Sequence, residues 1–425
     1  MCIRDRDKFV VKGKTQLNGT ISVRGAKNAI LPMIAGALLV EKGEFIINKV
    51  PDKRDIRNLV NLTELLGAKS RFDASEHTLT INAENLSYAE APYDVVRKMR
   101  ASFLVTGALL SRFGYARVAL PGGCSIGARP VNLHIKGFER LGAKISEEKG
   151  YISARADRLK GETIYFDRPS HTGTENIMMA AVNAEGTTRI INAACDPEVK
   201  SFADFLNSMG AKIYGAGTPY IMIEGVSALS PTEFNPIGDR LEAGTYLYGA
   251  LITGGDVEVS GVDPQHIEFP ILKMREMGAK IKTTPTSIRL RMRGKPKSIN
   301  LTTFPYPGFP TDLQPMAMTA ATICDGTSYI RETVFENRFS HVMELLRLGG
   351  IITVAGDTAT VTGTEKLHGA EVMASDIRAG AALTLAGLVA EGKTEILRVY
   401  HIDRGYEKLE EKLSSLGASI ERTQQ

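Results

Sequence analysis

No C-x-x-C pair occurs among the four cysteines of this chain, Cys2, Cys124, Cys195 and Cys324. Their scatter excludes a zinc knuckle and gives no sign of a disulfide framework, so a reducing cytoplasm is the expected compartment. Long apolar runs are missing as well. A stretch such as AGAALTLAGLVAEG at 379–392 falls short of the roughly 20 residues that span a bilayer. The opening MCIRDR is not followed by the apolar run of a signal peptide, and residues 1–7 read as a non-native leader. Cys2 goes with it. The net charge of +4 over 425 residues is too dilute for a nucleic-acid footprint. RMRGKPK at 291–297 is the nearest basic run and reads as a solvated hairpin end. There is no H-E-x-x-H spacing and no G-x-x-x-x-G-K-[ST] phosphate loop, so neither a metal nor a P-loop is expected.

What the chain does have is repetition. A helix-ending phrase recurs six times, as LLGAK (65–69), RLGAK (140–144), SMGAK (208–212), EMGAK (276–280), RLGGI (347–351) and SLGAS (415–419). Each glycine is placed to close an amphipathic helix in the left-handed region. Short alternating strands follow, TLTINA, YISARA, YIMIEG, SIRLRM and TATVTG. A second phrase precedes the first in each copy: a helix rich in Ala, Gly and Leu that ends at Gly and leads into a strand. KNAILPMIAGALLVEKGEFIIN and IRAGAALTLAGLVAEGKTEILR are its first and last instances. Small residues let such helices pack closely in a core, whereas the other helix of each copy carries charge on one side. Six copies in register predict an α/β chain of two three-copy groups.

Cys124 sits apart from this pattern, in LPGGCSIGARPV at 120–131. A packing thiol seldom lies between Gly-Gly and Ser. The glycines read as a mobile, exposed loop. Cys195 and Cys324 read as packing residues.

With GAKNA (25–29), MRAS (99–102), FPTDLQ (309–314), TVFENRF (333–339) and HIDRGYE (401–407), that loop makes the chain resemble the enolpyruvyl (carboxyvinyl) transferases from about Lys8 to its end. The resemblance implies a two-domain inside-out α/β barrel with six βαβαββ-type units, three per domain. One domain would span 27–238, and the other would join 8–26 to 239–425, with the active site between them. It implies transfer of the enolpyruvyl group of phosphoenolpyruvate to the 3-hydroxyl of UDP-N-acetylglucosamine, an early step toward peptidoglycan, with no cofactor and no membrane insertion. Nothing bears on oligomeric state.

The chemistry needs an acid, a base and a cage of cations around a small, doubly anionic substrate. By the resemblance the cage is Lys27, Arg129 and Arg404, with Arg100, Arg338 and Arg378. Read singly, Lys27 could be a solvated lysine, Arg404 a partner of Asp403 or Glu407, and Arg378 a partner of Asp376. Cys124 is implied in proton delivery to C3, in product release, or in both. Asp312 is the implied base; alone it reads as a helix N-cap, and the two roles are compatible. Asp376 would orient the arginines.

The nucleotide sugar is expected at Asn28, Arg100, Arg129, Pro130, Val131, Asn132, Leu133, Thr172, Gly173, Thr311, Asp312, Phe335 and Asn337, with Glu336 beside the last. Two departures from commoner relatives stand out. Asn132 replaces an aspartate, and PSHTGTEN at 169–176 replaces a PSVGAT-like phrase, which leaves the diphosphate contacts of His171 to Thr174 open. His134 and His401 neighbour motifs and fit either structural hydrogen bonding or a direct role. Two other readings remain: the sister branch acting on shikimate 3-phosphate, and a non-catalytic paralogue that binds nucleotide sugar.

Overall fold

The computed structural model describes residues 7–87, 90–96, 99–120, 126–127 and 131–424. Six four-stranded sheets share one plan. In the sheet of Tyr115–Ala119, a short edge strand (Glu90–Ala91) pairs parallel to it. Tyr151–Arg155 pairs antiparallel on its other side, and Lys144–Glu148 closes the sheet by a hairpin. Between these strands run the buried helix Val105–Phe113 and the amphipathic helix Asn132–Arg140. The copy therefore reads βαβαββ, as the phrase pattern predicts.

Two compact units divide the chain. One runs from Gly25 to Leu120 and from Val131 to Ile237 among the described residues; the other holds the residues up to Arg24, Ile126–Gly127 and everything from Gly238. Each contains three sheets. The helices rich in small residues are Lys27–Gly36, Val105–Phe113 and His171–Ala181 in one unit, and Arg240–Thr253, Gln314–Ala321 and Ile377–Val389 in the other. They form the two cores, and residues such as Met33, Leu109, Ile177, Leu247, Met316 and Leu385 are wholly buried. Each such side chain contributes roughly 1.5–3 kcal/mol by leaving water.

All six glycines of the L/M-G-A/G phrase adopt positive φ, from +88° at Gly349 to +107° at Gly67. Each is followed by the same pair of caps. In the first copy, Gly67 N–H donates to Glu64 O and Ala68 N–H to Thr63 O; in the last, Gly417 donates to Ser414 O and Ala418 to Leu413 O. Carbonyls that the helix end would orphan are thereby satisfied.

The N-terminal segment supplies two strands to the second unit. Asn18–Ser22 pairs parallel to Asp256–Ser260. Asp7–Lys12 lies antiparallel between Lys393–Leu397 and Ser419–Gln424. It is the alternating strand that the sixth copy does not supply in sequence order. Asp7, the last residue of the segment read as a leader, pairs with Gln424, and its carboxylate lies 3.3 Å from the Arg422 guanidinium. RMRGKPK is largely solvated, but it links strand Ser287–Arg291 to Asn300–Thr302 and is not a hairpin end. No helix among the described residues is long and apolar enough to cross a membrane.

Candidate active site

In the unit beginning at Gly238, two of the three inner helices are capped by aspartates. Asp239 accepts from the N–H groups of Leu241 and Glu242, and Asp376 from those of Arg378 and Ala379. Asp312 behaves differently. It sits in the 3₁₀ turn Thr311–Leu313 ahead of Gln314–Ala321, whose N-cap is Leu313 without a side-chain bond. Its oxygens instead take two guanidinium groups: Arg338 Nη2 donates to Oδ1 at 2.9 Å and Arg378 Nε to Oδ2 at 3.1 Å. The N-cap reading of Asp312 is thus corrected, because charge-assisted bonds to two arginines outcompete neutral backbone donors.

Both arginines are buried. Arg338 also donates Nε to Thr311 O at 3.1 Å, and its Nη1 lies 3.8 Å from Asp376. Burial works against the charge of Arg378, but Tyr406, Asp312 and Asp239 more than compensate and raise its pKa. The pairing of Arg378 with Asp376 expected from sequence is confined to the backbone: the side chain goes to Asp312. His341, wholly buried, has Nδ1 3.1 Å from Arg338 O and holds that stretch of chain. Its pKa falls to about 4, chiefly through burial.

Glu332, which sequence reasoning missed, organises the neighbouring turn. Its carboxylate accepts from Thr303 Oγ1 (2.8 Å), Thr311 Oγ1 (2.9 Å), Val334 N (2.8 Å) and Phe335 N (3.2 Å). The only signal was its place immediately before the motif that begins at Thr333. Asn337 N–H donates to Ile126 O at 3.1 Å, and a Cβ on Gly127 would collide with the Glu336 carboxylate. The described end of the cysteine loop is therefore held against the Glu336–Asn337 turn. Cys124, Arg129 and Pro130 lie outside the described residues. Arg404 ends the 3₁₀ turn Val399–Arg404, and Asp403 bonds to Arg422 at 2.5 Å. The His401 ring lies 4.3 Å from that of Tyr400, tilted by 35°.

The unit from Gly25 to Ile237 gathers another set. Lys27 opens its helix and is 8% exposed, with Nζ 3.1 Å from Asp55 Oδ2, so the solvated-lysine reading does not hold. Asp55 lies in Arg54–Leu65, and no spacing in the sequence announces it. Asn28 follows Lys27 in the helix, half-buried. Arg100 opens the turn Arg100–Leu104. Val131 and Leu133 are buried, and Asn132 between them is exposed.

Ser170 caps His171–Ala181 by accepting from Gly173 N. His171 lies between acids, with Nε2 3.1 Å from Glu175 Oε1 and Nδ1 3.7 Å from Asp196 Oδ1. Burial opposes its charge, but the two carboxylates outweigh it and raise its pKa well above the ordinary value. Burial also raises the thiols of Cys195 and Cys324, which fits packing roles. Among the described residues no group of three or more His, Cys, Asp or Glu could hold a metal.

The family described as EPSP synthase (3-phosphoshikimate 1-carboxyvinyltransferase) matches residues 11–413. A UDP-N-acetylglucosamine 1-carboxyvinyltransferase of Desulfosudis oleivorans is 51% identical over 98% of this chain and 99% of its own length. A second protein of that name, numbered 2, from Carboxydothermus hydrogenoformans is 52% identical over 98% and 99%. Among solved structures, the enolpyruvyl transferase NikO from Streptomyces tendae superposes with a TM-score of 0.88 at 25% identity, covering 99% of both chains. EPSP synthase from Acinetobacter baumannii gives 0.75 at 20% identity, covering 98% of this chain and all of its own, which bears on the fold alone.

Proposed function

The chain belongs to the enolpyruvyl (carboxyvinyl) transferase family, and from that premise we propose that it transfers the enolpyruvyl group of phosphoenolpyruvate to the 3-hydroxyl of UDP-N-acetylglucosamine, releasing phosphate. The names of the full-length relatives support this acceptor over shikimate 3-phosphate. The observation that carries the chemistry is the double clamp on Asp312.

A carboxylate with both oxygens committed to guanidinium groups is a poor base. The carboxylate and phosphate of phosphoenolpyruvate compete for those same arginines. On binding, they draw Arg338 and Arg378 toward themselves and free an oxygen of Asp312 for the sugar hydroxyl. The base is thereby exposed only when the electrophile is present. Protonation at C3 makes C2 of phosphoenolpyruvate electrophilic, and the sugar oxygen bonds to C2 as its proton passes to Asp312. Loss of a C3 proton and departure of phosphate from the tetrahedral adduct restore the double bond. The arginines stabilise the charge that shifts onto phosphate.

Lys27, Arg129 and Arg404 are the further cations in this reading, and Cys124 serves proton delivery or product release. Asn28, Thr311 and the 131–133 and 172–173 segments hold the nucleotide sugar. The reaction belongs to a reducing cytoplasm, where its thiol stays free.

A phosphate-release assay tests the reading. Release should require phosphoenolpyruvate and UDP-N-acetylglucosamine together. Release with shikimate 3-phosphate in its place would assign the sister activity, and release with neither would leave a nucleotide-sugar-binding protein.

A further inference from the structure

Arg422 stands on the last strand, Ser419–Gln424, and meets carboxylates from three other elements. It holds Asp403 with two nitrogens: Nη2 donates to Oδ1 at 2.5 Å and Nη1 to Oδ2 at 3.1 Å. Nε donates to Glu410 Oε1 at 2.7 Å, at the start of the helix Leu409–Ser415. Nη1 also reaches Asp7 Oδ2 at 3.3 Å, and Nη2 reaches Glu410 Oε2 at 3.5 Å. The guanidinium carbon lies 5.0 Å from the centroid of the wholly buried Phe9 ring. Partial burial works against the charge of Arg422, but Asp403 and Glu410 outweigh it and raise its pKa.

A two-pronged guanidinium–carboxylate pair fixes direction as well as distance. What it fixes here is the end of the 3₁₀ turn Val399–Arg404. Consecutive side chains leave such a turn about 120° apart. Ile402 goes inward: it is wholly buried, and a Cβ on Gly380 of the inner helix Ile377–Val389 would collide with it. Asp403 goes to Arg422. Arg404, next in the chain, is left the third side. The sequence alone could pair Arg404 with Asp403, yet both Asp403 oxygens are held by Arg422.

We propose that Arg422 is a positioning residue for phosphoenolpyruvate, acting through Asp403: it keeps that carboxylate off Arg404, whose charge then serves the substrate. This rests on the functional reading above, which makes Arg404 one of the substrate's cations. Without Arg422, the carboxylates of Asp7, Asp403 and Glu410 lose their shared cation and repel one another. Asp403 then turns to the cation beside it in the chain, Arg404, and competes there with the anionic groups of the substrate.

Steady-state kinetics on variants of the intact enzyme test this. Arg422→Met removes the charge and should raise the KM for phosphoenolpyruvate about tenfold, the scale of one hydrogen bond to a charged group. The KM for UDP-N-acetylglucosamine and kcat should stay within about twofold, as when binding alone is lost. Arg422→Lys, which keeps the charge, should recover most of the difference. Adding Asp403→Asn to Arg422→Met should restore the KM, because the competing carboxylate is gone. A double variant as poor as Arg422→Met would mean that Arg422 only fastens the last strand, and it overturns the proposal. Asp403→Asn alone should not raise the KM for phosphoenolpyruvate. A rise there would show that Asp403 supports Arg404 instead of competing for it, whether or not Arg422→Met folds. A wild type that neither binds nor consumes phosphoenolpyruvate refutes the functional reading and this proposal with it. A wild type that does, beside an Arg422→Met variant of unchanged KM, refutes the proposal alone.

Discussion

The two three-sheet units repeat one backbone plan and use the same helix ends for opposite chemistry. In the unit from Gly238 onward, Asp239 and Asp376 cap their helices with carboxylates, and Asp312 occupies the third position held by Arg338 and Arg378. In the unit from Gly25 to Ile237, the inner helices begin after Ala26, Leu104 and Ser170, and only the serine supplies a side-chain cap. Cations or neutral donors stand there instead: Lys27, Arg100 just ahead of Val105–Phe113, and Thr172. A helix N-terminus favours negative charge. One unit meets that preference with carboxylates of its own; in the other, Ser170 caps its helix with a neutral hydroxyl and Lys27 is met by Asp55 from a neighbouring helix. A shared fold thus fixes where function-bearing groups go, and local sequence decides whether the place is filled.

Three experiments bear on this contrast, in order of expected effect. Asp312→Asn should lower turnover about 10²- to 10⁴-fold, the usual share of a general base, while calorimetry still detects UDP-N-acetylglucosamine binding. Full activity would show that the carboxylate chemistry is not in this unit.

The next concerns His341 beneath the arginine cluster. The folded protein keeps it neutral down to about pH 4, whereas the unfolded chain protonates near its ordinary value of 6.5. More protons bind to the unfolded state in that window, so stability should fall as pH drops from about 6.5 to about 4, by about 3 kcal/mol. His341→Asn keeps a donor for Arg338 O and should flatten that part of the urea-midpoint profile. An unchanged profile would place the acid sensitivity elsewhere.

The smallest effect compares equivalent turns. Gly210 (φ +100°) and Gly278 (φ +104°) end corresponding helices in the two units, and a Cβ at either would meet nothing closer than 3.6 Å. Alanine at each should cost about 1–2 kcal/mol, from left-handed strain alone. Unequal losses in denaturant midpoint would show that the copies are not equivalent.

Periodic features were legible in the sequence because each has a local cause. All six phrase glycines occupy positive φ since the helix must stop there, and the helices rich in small residues are buried because close backbones need them. Less legible was anything decided across distant segments. Asp55 meets Lys27 from another helix, Asn176 reaches Gly107 and His134 from two others, and Glu332 gathers turns separated in sequence by up to 29 residues. Asp312 was noticed, but its local reading as a cap was wrong, since two arginines 26 and 66 residues away claim its oxygens. The missing sixth strand was equally hidden, because its match lies at the other end of the chain.

That last arrangement has a consequence for biogenesis. Asp7–Lys12 is made before every other described strand, yet it is flanked by Lys393–Leu397 and Ser419–Gln424, the two that are made after all the rest. Every strand of the unit between Gly25 and Ile237 is synthesised long before then. During translation that internal unit can assemble while the opening strand waits with unmet edges, a hazard for aggregation that ends only when the final hairpin partner arrives.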